Sequence, residues 1–194
     1  MGSPRLPWEV IERIINHSGD HPQTLCSLAL TCRQLRPRSR CLMVSRAVFK
    51  SRDHIFAFVD FLDGNPHLKP LVHSIVVELM DFPPFPLLHI LSNLTEIEFN
   101  SVKEIVALPQ PALTCFHRFG ANIRSLRLFN LSFVTYLPFS RVLLALPNVV
   151  HLTCQNVVIK SVGDQAPLDV IRWRLSKQMQ LKTLVVSLPN VSPV

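Results

Sequence analysis

The sequence predicts an α/β chain in two parts. Residues 1–45 read as a helical module, and residues 46–194 as a linker helix followed by a short, irregular solenoid with parallel strands. Two observations lead there: apolar residues fall at helical spacing through the first 35 positions, and a strand-and-helix pattern recurs from residue 68 onward.

The first helix is expected over residues 7–16. Pro7 suits a first helical position, where no backbone donor is needed, and Trp8, Val10, Ile11, Ile14 and Ile15 share one broad face. Asn16–His21, with Gly19 and Asp20, reads as a turn. A second helix is expected from Pro22, with Leu25, Leu28, Cys32 and Leu35 as a narrow stripe and Pro37 as its end. A third is expected from Asp53 to Asp63, capped by Asp53 and stopped by Gly64. Its buried face is Ile55, Phe58, Val59 and Leu62, so the aromatic run "IFAFVDFL" reads as core packing rather than a stacking surface.

The repeating segments are "LVHSIVVELMDF", "NLTEIEFNSV", "NIRSLRLFNL", "NVVHLTCQNV" and "QLKTLVVSL". The middle three share N-φ-x-x-φ-x-φ-x-x-φ, with φ apolar. Alignment brings Ile75, Ile97, Leu126, Leu152 and Leu184 into register at intervals of 22, 29, 26 and 32 residues. Between them lie the helical stretches "PLLHILSNL", "ALTCFHRFG", "RVLLALPN" and "PLDVIRWRLSKQM". A strand and a helix at this period is the leucine-rich-repeat spacing, and units of that size bury their apolar faces only by stacking. The intervals are uneven and the full leucine-rich consensus is absent, so the solenoid is degenerate. The ending "LPNVSPV" follows a strand with no capping repeat, where solenoid ends usually carry one.

Composition narrows the function. Hydrophobic residues make up 48% and charged residues 17%, which excludes a disordered tail. No apolar run approaches the roughly 20 residues of a membrane span. "MGSPRLPWEV" lacks an apolar signal core, and position 6 lacks the hydroxyl of a myristoylation signal. Five scattered cysteines suggest reduced thiols and a cytoplasmic or nuclear setting. The net charge of +7 is local: Arg33, Arg36, Arg38, Arg40, Arg46, Lys50 and Arg52 form a basic segment 33–52 without an acid, and the remaining 13 basic residues balance 13 acidic ones. Widely spaced glycines exclude standard phosphate-binding loops and the G-x-S-x-G elbow. His17, His21, Cys26 and Cys32 lack tight metal-ligand spacing; they read as two loop histidines and two core cysteines. Cys115 and His117 do not face each other on a helix. No catalytic residue, metal or cofactor is expected.

"LPWEVIERII" followed by "TLCSLALTCRQLR" resembles the F-box, in which L-P-x-E-φ-φ-x-x-I-φ precedes L-x-x-φ-A-φ-φ-C-R-x-φ. Leu6, Pro7, Glu9, Val10, Ile11, Ile14, Ile15, Leu25, Leu28, Ala29, Leu30, Cys32 and Arg33 match. The likeness is specific over residues 5–80 and resembles fungal-type F-box proteins with degenerate leucine-rich repeats; over 81–194 it is architectural. The turn "NHSGDHPQ" is longer than usual, and Leu35 stands where an aromatic is common. The resemblance implies a non-catalytic substrate receptor of an SCF-type cullin–RING ubiquitin ligase. Leu6, Pro7, Val10, Ile11, Ile14, Leu25, Leu28, Cys32 and Leu35 would contact the ligase adaptor, and through it a cullin, while the repeats select an unknown target protein.

Side chains alternating with the buried strand positions should face a concave target surface. These include Glu78; Glu96, Glu98 and Asn100; Arg127 and Phe129; and His151, Thr153 and Gln155, alongside Ser74, Val76, Ser125, Thr183, Val185 and Ser187. A nucleic-acid-binding protein using the basic segment, and a purely structural repeat protein, stand as alternatives.

Overall fold

The computed structural model describes residues 6–19, 21–78, 85–101, 110–160, 175, 177 and 179–187. The chain divides into two units between Ala47 and Val48.

The first unit holds three helices: α1 (Trp8–His17), α2 (Pro22–Thr31) and α3 (Arg36–Ser45), with α3 packed against the other two. Two expectations are corrected. Pro7 precedes α1 as its cap residue, and α2 stops four residues before Leu35. Ser27 and Thr31 turn their hydroxyls back onto the carbonyls four residues earlier, at 3.0 and 2.8 Å, which weakens a helix end. Cys32 is then extended, with φ −155° and ψ 163°. Pro37 begins a helix instead of ending one: in the first turn its missing N–H has no intrahelical acceptor to lose. Arg36, Arg38 and Arg40 of the basic segment therefore lie on α3, where Arg38 Nε donates to Asn16 Oδ1 of α1 at 2.9 Å.

A strand the sequence reading missed, β1 (Arg46–Phe49), spans the division, with Val48 and Phe49 in the second unit. Next comes α4 (Arg52–Gly64), capped by Ser51, whose hydroxyl accepts from His54 N–H. The cap is thus two residues ahead of Asp53, which sits in the first turn, where its charge suits the helix dipole. Ile55 and Leu62 are buried and Phe58 and Val59 half-buried, as the helical spacing requires. Phe56 and Phe61 are exposed, so core packing accounts for only one side of this aromatic helix.

Beyond it the strands are β2 (Ser74–Glu78), β3 (Glu96–Asn100), β4 (Ser125–Phe129), β5 (Ser132–Phe133), β6 (His151–Gln155), β7 (Val158–Ile159) and β8 (Thr183–Ser187). Among the described residues three α-helices intervene: α5 (Phe85–Leu88), α6 (Gln110–Phe119) and α7 (Tyr136–Ala145). Most of the expected last helix, 167–179, falls outside the described residues. The main sheet runs β1-β2-β3-β4-β6-β8, and the four pairings from β2 to β8 are parallel. Its register follows the sequence alignment: Ile75 pairs Ile97, then Leu126, Leu152 and Leu184. The short β5–β7 ladder, also parallel, has no counterpart in the sequence reading.

The core lies between the sheet and its helices. Ile75, Ile97, Phe99, Leu126 and Leu128 are fully enclosed, and Phe99 meets Phe116 of α6 edge-on at 5.7 Å. Leu184 departs from this pattern. Although in register, it is exposed, because β8 pairs with β6 alone among the described strands and lies at the sheet edge.

The asparagine that opens each shared motif has a recurring task. Asn93, Asn122 and Asn148 each donate from Nδ2 to a carbonyl of the preceding unit: Pro70 at 3.0 Å, Ser92 at 2.7 Å and Ala121 at 2.9 Å. Beside them, the carbonyls of His73, Thr95, Arg124 and Val150 each accept two successive N–H groups of the next strand's start. The repeat is thus held by side-chain staples as well as by apolar stacking. Replacing Asn122 or Asn148 with Ala should each cost about 1 kcal/mol, one net hydrogen bond, in urea unfolding. A loss in one position without the other would break the equivalence of the units.

Candidate functional site

Two surfaces emerge, one in each unit. In the first, α1 carries apolar residues on two sides. Ile15 is buried and Ile11 half-buried, forming the inward side. Val10 and Ile14, four residues apart on α1, form a second side and are 39% and 49% exposed; Leu6 and Pro7, just before the helix, are exposed too, Leu6 at 61%. On α2, Leu30 is 81% exposed, the greatest value among the exposed large apolar residues described.

Four of the expected adaptor contacts are thus exposed: Val10 and Ile14 on one side of α1, and Leu6 and Pro7 immediately before it. Ile11, Leu28 and Leu35 are half-buried. Leu25 is corrected: at 1% exposure it belongs to the module's interior, on the inward side of α2. Cys32 is exposed, but it sits past the end of α2 in extended backbone, so it joins no helical stripe. Trp8 and Leu30 were absent from the expected contacts. Their exposure depends on where α2 and α3 lie, which helical spacing alone does not fix.

Cys26 and Cys32 are not core cysteines; both are exposed, while Cys41 and Cys115 are partly covered and Cys154 is buried. His17 Nδ1 donates to the Arg13 carbonyl at 2.8 Å. Among the described residues no three His, Cys, Asp or Glu side chains gather as a metal site. Burial raises the Cys154 thiol pKa above its ordinary 9.0. Folding therefore favours its protonated form, and that contribution is intact below pH 9 and lost as pH rises through the raised value. Thiol labelling at pH 8 should modify Cys26 and Cys32 first and Cys154 only on unfolding. Early Cys154 labelling with native circular dichroism would contradict this burial.

In the second unit, the sheet face opposite the helices carries the expected target residues. Ser74 Oγ donates to Glu96 Oε1 at 3.0 Å, and Arg127 pairs with Glu96 across 3.5 Å. Lys50 lies 3.8 Å from Glu78. Phe129 and Thr153 are half-buried, and His151 and Gln155 exposed. Glu98 is corrected as an open contact. It and its register partner Val76 are buried, because Glu98 is flanked on adjacent strands by Val76 and Arg127 at sheet spacing. The centre of the face is closed at β2–β3, while its ends and the β6 side remain accessible.

Asn100 was expected as a target contact, but its side chain is engaged. Its Oδ1 accepts from Asn130 Nδ2, and Asn130 Oδ1 accepts from Asn156 Nδ2, both at 3.0 Å. Asn130 and Asn156 adopt left-handed backbone, φ 53° and 55°, which asparagine tolerates better than most residues. This ladder closes the strand ends of three successive units. On the helix side, Gln110, Thr114, His117 and Arg141 surround Leu113, Leu144 and Ala145 in an open groove of about 340 Å³.

Compared with models of protein families, with curated proteins and with solved structures, the chain matches none. The class defined by the geometry is a mixed α/β protein: a helical unit, and a second unit with a sequentially ordered parallel sheet. No helix among the described residues is long and apolar enough to cross a membrane.

Proposed function

We propose that the protein is a non-catalytic substrate-recognition subunit of an SCF-type ubiquitin ligase. The F-box-like helical unit docks on the ligase adaptor, which links it to a cullin, and a leucine-rich-repeat-like solenoid binds a target protein. One observation carries the reading: Val10 and Ile14, one turn apart on α1, are exposed, as are Leu6 just before the helix and Leu30 on α2. Enclosing such side chains contributes about 1–2 kcal/mol each when half of their surface is still wet, so a partner gains substantial affinity by covering them. The F-box resemblance of "LPWEVIERII" names the partner class.

The target side rests on the alternating face of β3, β4 and β6. It presents Glu96, Arg127, Phe129, His151, Thr153 and Gln155, a mixture of charge, aromatic surface and hydrogen-bonding groups suited to a protein ligand. Chemistry of ubiquitin transfer then belongs to other subunits. The direct test is binding of the purified full chain to the ligase adaptor by calorimetry. A dissociation constant in the micromolar range or tighter is expected; no heat and no co-elution at high micromolar concentration would sink the proposal.

A further inference from the structure

The helical unit holds seven basic residues against three acidic ones, a surplus of four. Two members of the basic segment outside it have local tasks, since Lys50 lies by Glu78 and Arg52 stacks over Phe56 at 5.3 Å. Inside the unit, Arg38 is held by Asn16. Arg33, Arg36 and Arg40 are exposed, and among the described residues none of them has an acidic partner. Arg36 and Arg40 stand one turn apart on α3, a like-charge spacing that opposes helix formation. Arg33 follows the exposed Leu30 by three residues. Three unneutralised guanidiniums thus occupy the same small unit as the open apolar stripe.

We propose that Arg33, Arg36 and Arg40 form an electrostatic rim to the docking surface, and that the adaptor surface they meet carries carboxylates beside its apolar groove. The inference rests on the adaptor-docking reading and adds the partner's charge to it. A protein partner is favoured over nucleic acid by what accompanies the charge. Four of the unit's five described exposed large apolar residues, Leu6, Val10, Ile14 and Leu30, are aliphatic and suit an apolar groove; Trp8 is the one aromatic among them, whereas single-stranded nucleic acid is held by successive aromatic platforms in a basic channel. Charges at such a rim speed encounter and fix orientation, and they act over roughly a Debye length, about 8–10 Å in physiological salt.

Stopped-flow association of the full chain with the adaptor tests this, at low and at high salt. The native chain should associate about tenfold or more slowly at high salt. R36E/R40E should lower the low-salt association rate by about tenfold or more and flatten the salt dependence, with dissociation changed by less than about threefold. R36K/R40K should behave as native, since steering reads charge alone. Equal rates and salt slopes for R36E/R40E and native chain, with binding retained, overturn the rim while leaving adaptor docking intact. Failure of the native chain to bind the adaptor overturns both. A single-stranded RNA oligonucleotide is the second probe: tight RNA binding at physiological salt that R36E/R40E abolishes overturns the protein partner in favour of nucleic acid.

Discussion

Under the proposed docking, Val10→Asp combined with Ile14→Asp should abolish adaptor binding, a loss of 100-fold or more in affinity, on the order of 3 kcal/mol, while leaving the fold intact. Both residues lie on the open side of α1, away from the buried Ile15. In the free chain the new carboxylates are hydrated, so folding loses little; surface substitutions of this kind usually fall within about 0.5 kcal/mol. In the complex the same carboxylates would enter an apolar groove without partners, and burying an unpaired charge is costly. The contrast between the two states makes the variant informative. Leu25→Asp should instead unfold the module, because Leu25 is an interior residue. The pair is read by adaptor titration together with thermal unfolding. If V10D/I14D binds as the native chain does, the stripe is not the docking surface, whatever the chain's ultimate partner.

The parts legible in the sequence are those governed by local periodicity. Ile75, Ile97, Leu126, Leu152 and Leu184 could be aligned because parallel stacking repeats one apolar position per unit, and the observed register follows that alignment. The break between α2 and α3 was not legible. Leu25, Leu28, Cys32 and Leu35 keep helical spacing across residues that form two helices and a turn, so periodicity ran on where the backbone did not. Pro37 was compatible with an end or a beginning, and only tertiary packing selects between them. The same limit applies to Leu25 as a docking residue: helical spacing finds an apolar side, but not whether a neighbour covers it.

The strand ends show a second kind of limit. Asn130 and Asn156 follow their strands at equivalent motif positions, a visible signal, but Asn100 completes the ladder from one position earlier. No fixed motif spacing would have joined the three. Val76 and Glu98 failed as open contacts for a related reason: alternation assigns a sheet face, whereas exposure also depends on the size of register neighbours. The motif asparagines Asn93, Asn122 and Asn148, by contrast, were visible as a repeated letter, and the structure supplies their task.

Leu126→Ala and Leu184→Ala, one alignment position in two places, should differ widely in cost. Leu126 is fully enclosed at the centre of β4, between Ile97 and Leu152 in register, whereas Leu184 on β8 is 58% exposed. Truncating an enclosed leucine removes transfer energy and leaves a cavity, costing about 2–5 kcal/mol. Truncating Leu184 forfeits only part of the transfer term and opens no closed void, so about 1 kcal/mol or less is expected. Urea unfolding followed by circular dichroism measures both. In a domain stabilised by about 5–15 kcal/mol, the first loss shifts the midpoint strongly and the second barely. Equal large losses would mean that Leu184 is enclosed in solution, and that β8 is not an uncovered edge. The comparison therefore tests the stacking argument at its two extremes: a repeat unit draws its stability from the neighbours on either side, and a unit with a neighbour on one side alone holds its equivalent residue only weakly.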